Sequence, residues 1–198
     1  DNVEHHLNVL KCLRNLGHLQ TMLRNIDGAL NRIKEGASEL RSFGVQSAWR
    51  LGQWVVVEKY LKDGCKEDFE VGIAKALLHY KNKNKKEFLN ELKKTRTELM
   101  GPLSAAAMES YHRSYPYIVK LQMLKELEQS YDLWNMNQEE KRNFLQLWQA
   151  SLEQTENSLN TREPLLSLRR IIFKIHNMDD EVGKCWLQWA KLTRVAGH

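Results

Sequence analysis

The stretch LGQWVVVEKYL, Leu51–Leu61, reads as a glycine turn followed at once by an apolar helix face. LGHLQTMLRNI, Leu16–Ile26, has the same form. Superposed, the two place Gly17 over Gly52, Leu19 over Trp54, Met22 over Val57 and Ile26 over Leu61. The offset, from 17 to 52, is 35 residues, close to the roughly 34-residue period of tetratricopeptide-type helical hairpins. A glycine in a tight joint lets one helix end left-handed and the next begin without a loop. The large residue two positions on, Leu19 or Trp54, is then expected to wedge between the helices. Positions +5 and +9, Val57 and Leu61 in the second copy, continue the same face one and two turns later.

Outward from these joints, helical periodicity fills the chain. Leu19, Leu23, Ile26, Leu30 and Ile33 form one stripe, predicting a helix from about 19 to 34; Phe69, Ile73, Ala76 and Tyr80 form a second, and Phe88, Leu92, Thr95 and Leu99 a third. KNKNKK, Lys81–Lys86, falls where a third joint is due but lacks its glycine, so that repeat reads as degenerate. Pro102 and Pro164 are suited to first turns and are expected to open helices, with Ser104 as a capping residue and Ala105–Ala107 allowing close helix approach. Pro116 is expected to kink or break the helix that carries Tyr117, Leu121, Leu124, Leu127 and Tyr131. Asn137–Glu140, NQEE, predicts a capping box for a helix bearing Leu145, Trp148, Leu152 and Leu159. Leu165, Leu168, Ile171, Ile172 and Ile175 follow, and Asp179 or Asp180 is expected to cap a last helix with the stripe Val182, Trp186, Trp189 and Thr193.

Gly197 occupies a turn position like Gly17 and Gly52, with no partner helix after it, and the first residue is Asp1 rather than Met. The expectation is an all-α chain, an α-solenoid of antiparallel helical hairpins with about ten helices. Residues 1–198 then form a single segment truncated at both ends, with two tetratricopeptide-like hairpins over 1–66 and degenerate helical repeats over 67–198.

Composition narrows the function classes. Apolar residues make up 42%, with three prolines and ten glycines, so the chain folds and has little linker. No Val/Ile/Thr run exceeds Val55–Val57, which argues against strands. Thirty basic and 25 acidic side chains give a formal charge of +5, mild and interspersed, which does not favour direct DNA binding. Cys12, Cys65 and Cys185 are odd in number and far apart, which fits a reducing compartment. No apolar run approaches a membrane span.

Candidate chemistry is sparse. The six tryptophans, Trp49, Trp54, Trp134, Trp148, Trp186 and Trp189, match the apolar stripes and read as core wedges rather than an aromatic cage. Lys81, Lys83, Lys85, Lys86, Lys93 and Lys94 suggest a phosphate site or nuclear-import signal, but Asn82, Asn84, Glu87, Asn90 and Glu91 interrupt them and favour a solvated surface. His5 and His6 point to different sides of a helix, and His79, His112 and His176 stand alone, none at a metal-ligand spacing. There is no G-x-S-x-G and no glycine-rich phosphate loop. No catalytic, cofactor-binding or metal residue is assigned. The repeat positions Gly17, Leu19, Gly52, Trp54, Val57, Leu61, Trp186 and Gly197 stand as structural sites.

GPLSAAAMESYHRSYPYIVKLQMLKELEQSY, Gly101–Tyr131, resembles the FAT region of the PI3-kinase-related protein kinases, on the checkpoint-kinase side of that family. SAWRLGQWVVVEKYL upstream, and TREPLLSLRRIIFKI and VGKCWLQWAKLTRVAGH downstream, extend the resemblance in order across about 43–198. It implies a non-catalytic α-solenoid segment of a large nuclear serine/threonine kinase that answers single-stranded DNA and stalled replication. In that family the segment clamps the kinase domain, and catalysis, with its ATP and Mg, lies in a domain further along. The partners implied are the kinase domain, neighbouring helical repeats, a second copy in a homodimer, and the checkpoint kinase's interacting protein. A different reading is an independent tetratricopeptide-type adaptor whose concave groove holds a partner's peptide.

Overall fold

The first two helices of the chain, α1 (Val3–Asn15) and α2 (Leu19–Leu30), meet at Gly17. In the computed structural model, which describes residues 3–32, 36–195 and 197, eight more follow. They are α3 (Ala37–Leu51), α4 (Trp54–Lys62), α5 (Phe69–Lys81), α6 (Lys85–Glu109), α7 (Tyr111–Ser130), α8 (Gln138–Glu153), α9 (Leu159–Ile175) and α10 (Asp179–Val195), with a 3-10 turn at Tyr131–Trp134. No strand occurs among the described residues, and the all-α helical-repeat fold is as the sequence predicts. Ile33, assigned to the stripe of α2, lies outside the described residues.

The joints share one construction. Gly17, Gly52, Lys83 and Asn177, one or two residues past a helix, take a positive φ of 73°, 70°, 55° and 55°. At the second joint the Gln53 amide donates to the Ala48 carbonyl at 2.9 Å and the Gly52 amide to Trp49 at 3.0 Å. At the third, Asn84 donates to His79 and Lys83 to Tyr80, both at 3.0 Å; at the fourth, Met178 donates to Phe173 at 2.9 Å. These paired bonds satisfy the last carbonyls of a helix and let the next start two residues on. The joint at Lys81–Lys86 is therefore intact without glycine, and Asn177 forms one that the sequence did not announce, because asparagine also tolerates the left-handed region. Gly197 has φ 81° and donates to Arg194 at 3.4 Å. Lysine in that region is strained, so Lys83→Gly is expected to raise stability by about 0.5–1 kcal/mol, seen as a higher urea midpoint at unchanged slope.

The chain divides into two compact units, residues 1–95 and 96–198. In the first, α3 is the central helix, buried along nearly all of Leu40–Arg50 and packed by α2, α4 and α5. Met22 and Ile26 of α2 and Val57 of α4 are fully buried on the expected stripe. Leu19, Trp54 and Leu61 are only half-buried. On α4 the buried stripe passes from Val57 to Tyr60, three residues on, instead of to Leu61. The Tyr60 ring lies so close to Gly44 that a Cβ there would approach it to 2.6 Å, and its hydroxyl donates to Asp27 Oδ1 at 2.8 Å. Burial, with that carboxylate beside it, pushes the Tyr60 phenol well above its usual range. Trp54 is the first residue of α4, where no preceding turn of its own helix covers it, and Lys81 Nζ stands 5.7 Å from its ring.

In the second unit α9 is central, buried continuously from Leu165 to Phe173 against α7 and α10. The capping box at Asn137–Glu140 forms as predicted, with bonds of 2.9 and 2.7 Å. Four helix boundaries differ from expectation. Pro102, Pro116 and Pro164 all lie inside helices, and Leu159 begins α9 instead of ending α8. The break assigned to Pro116 occurs at Ser110, whose hydroxyl accepts from the Arg113 amide at 3.2 Å. Pro116 and Pro164 each stand one and a half turns into their helices, where a single missing amide bond is offset by packing beyond them. Ser104 and Ala105–Ala107 are mid-helix and mostly exposed, so they neither cap nor mediate close approach. Asp179 is the first residue of α10 rather than its cap, and with Asp180 and Glu181 it sets negative charge at the positive end of the helix.

Only two of the six tryptophans are core. Trp49 and Trp148 are buried, Trp54, Trp134 and Trp189 are half-buried, and Trp186 is 47% exposed. The buried face of α10 centres on Cys185, which leaves Trp186 one residue round the helix at its edge.

Candidate functional site

Each unit holds a tryptophan, an arginine and a glutamate in one buried cluster. In the first, Trp49 and Arg50 are consecutive on α3, and Glu70 stands in the first turn of α5, behind the cap that Asp68 makes to the Val71 amide at 2.9 Å. Glu70 Oε2 accepts from Trp49 Nε1 at 3.0 Å and from Arg50 at 2.6 Å, and Oε1 accepts from Arg50 at 3.0 Å. The guanidinium sits 4.4 Å from the Trp49 ring centroid. One carboxylate thereby satisfies the indole and both prongs of the fork.

In the second unit Arg169 of α9 donates to both Glu126 oxygens of α7, at 2.7 and 2.5 Å. Gln122 donates to the same carboxylate at 2.9 Å and reaches Ser151 Oγ on α8 at 2.9 Å. The Arg169 guanidinium lies 5.1 Å from the Trp148 ring. The Arg169 and Glu126 side chains are 4% and 0% exposed. Charges this deep hold only as a pair, so the cluster fixes which face of α7 meets α9. The chemistry is positional: a fork, a carboxylate and a ring, with no group placed to attack, protonate or coordinate.

Other reactive types are disarmed or scattered. Burial pushes the Cys185 thiol up to about 11, with Arg169 and Arg170 pulling the other way, so it is no thiolate at neutral pH. Burial likewise raises Cys65. Among the described residues no group of three His, Cys, Asp or Glu side chains stands ready to hold a metal, and no helix is long and apolar enough to cross a membrane.

The second unit leaves large apolar side chains exposed on α8 and on α10. Leu147 and Leu187 are 71% and 57% exposed, and Gln188 donates to Gln149 at 2.9 Å, tying the two helices together. Trp186 meets Trp189 edge to face at 5.8 Å, with the Arg170 guanidinium 3.9 Å from its ring.

The repeat positions thus fall into joints (Gly17, Gly52, Gly197), a buried stripe (Val57), half-buried flanks (Leu19, Trp54, Leu61) and an exposed edge (Trp186). Arg50, Glu70, Glu126 and Arg169 were not singled out from the sequence. The available signal was an arginine inside an apolar run, as in LLSLRRIIF, which leaves a charge no solvated face.

The family model described as FAT domain matches residues 41–198. The chain is 38% identical to a serine/threonine-protein kinase ATR of rice (Oryza sativa subsp. indica) and 36% identical to that of Arabidopsis thaliana, in each case over its whole length. It is 25% identical to the serine-protein kinase ATM of Sus scrofa over 84% of its length. The chain spans 8% of the two plant relatives and 6% of the third.

Proposed function

The chain belongs to the FAT domain family, and from that premise we propose that it positions and restrains the kinase domain of an ATR-like checkpoint kinase. The FAT region is a non-catalytic, regulatory segment of these large kinases. In the proposed role it works as a scaffold that clamps the kinase domain, in a nuclear protein responding to DNA damage and replication stress. ATP and Mg belong to that kinase domain. Its contacts are the kinase domain and neighbouring helical repeats, and in the parent complex a second copy and the ATR-interacting protein. Activators acting elsewhere shift the population between looser and tighter forms of the clamp.

The observation that supports this reading is the exposure of large apolar side chains in the second unit, Leu147 on α8 and Trp186 and Leu187 on α10. Large apolar side chains left in water on one unit fit a surface that another part of the kinase covers. Leu147→Asp with Leu187→Asp, placed in the full-length kinase, is expected to alter basal or stimulated phosphorylation of a peptide substrate at least about threefold, while both side chains are too exposed to unsettle their own helices. Unchanged activity in both states would sink the proposal.

A further inference from the structure

The third joint is strained where the first two are not. Gly17 and Gly52 take their positive φ at no steric penalty, whereas Lys83 takes 55° with a full side chain. An outlier that glycine would relieve is a reason to ask what the lysine does.

Its surroundings supply an answer. Residues 1–95 contain 17 basic and 12 acidic side chains, residues 96–198 contain 13 of each, so the whole formal excess lies in the first unit. Four lysines and no acid fall within Lys81–Lys86, and every residue of that turn is exposed. Lys81 stands over the ring of half-buried Trp54, so an indole borders the cationic turn.

We infer that the joint between α5 and α6, with Lys81 beside Trp54 and Lys83 and Lys86 exposed on the same turn, is a docking site for an acidic peptide segment bearing an apolar side chain. Ammonium groups on flexible stems suit carboxylates arriving along an extended chain, since each acts as a point charge without a fixed fork. Trp54 offers its ring to the apolar residue between them. Nucleic acid fits less well. The turn has no arginine, Tyr80 and Phe88 at its two ends are fully buried where no base can stack, and Glu87 directly follows the cationic run.

The test uses the full 198-residue chain and a fluorescein-labelled, glutamate-rich peptide with a central phenylalanine, read by anisotropy. Binding is expected at low salt and should weaken steeply as salt rises. Lys81→Glu with Lys86→Glu should weaken it at least about tenfold at an unchanged melting temperature. Lys83→Gly separates ligand recognition from architecture: it should raise the melting temperature and weaken the peptide together. Equal affinity of the charge-reversed variant and the parent overturns the proposal. So does tighter binding of a single-stranded oligonucleotide of equal charge than of the peptide, which would assign the turn to nucleic acid.

Discussion

Glu126→Leu is expected to destabilise the chain by about 3–5 kcal/mol, because it leaves the Arg169 guanidinium buried without its carboxylate. Arg169 keeps no other route to water at 4% exposure, and Gln122 loses its bond to the same group. For a chain of this size that is a fall of roughly 10 °C in melting temperature. Glu126→Leu combined with Arg169→Met should recover most of the loss, since two apolar side chains of similar volume replace the pair without stranding a charge. A double variant as unstable as the single one would mean that the cluster acts through shape and not through charge. The contrast with Arg96–Glu128 is a useful control. That pair bonds at 2.6 Å but is 40% and 44% exposed, and its removal should change stability by no more than about 1 kcal/mol.

Trp49→Ala is expected to cost about 3–5 kcal/mol, the range for deleting a large aromatic from a core. Trp49 is fully buried on α3, and its loss also removes a donor from Glu70 and the ring beneath Arg50. Trp54→Ala, five residues on, is expected to cost about 1–2 kcal/mol, because its ring is already half in water. Urea unfolding of the two variants side by side decides the order. Equal losses would return Trp54 to the wedge position that the sequence repeat suggested.

Both tryptophans read as core wedges in the sequence, and only Trp49 is one in the fold, which marks the limit of what spacing encodes. The repeat places Gly17 and Gly52 correctly because a left-handed residue at a helix end is a local demand, written in one residue. The buried stripes of α5 and α6, Ile73, Ala76 and Tyr80 and then Phe88, Leu92, Thr95 and Leu99, were legible for a similar reason, since spacing alone sets which side chains share a face. The same holds for the capping box at Asn137, whose two bonds close within four residues. Pro164 falls inside α9 instead of opening it, because a ring early in a helix either opens it or is tolerated, and the burial of Leu165–Phe173 beyond it decides which.

By itself, then, the sequence determined the helical class, the glycine joints and the family, all of which depend on residues near each other in the chain or on long ordered resemblance. The tertiary structure alone decided that Trp49 and Trp148 are core while Trp186 is surface, and that Arg50 and Arg169 find Glu70 and Glu126. The partners in those pairs stand 20 and 43 residues apart. Whether a stripe faces protein or water, and whether a charge is solvated or paired, depends on which helix arrives from that distance. No local spacing encodes it.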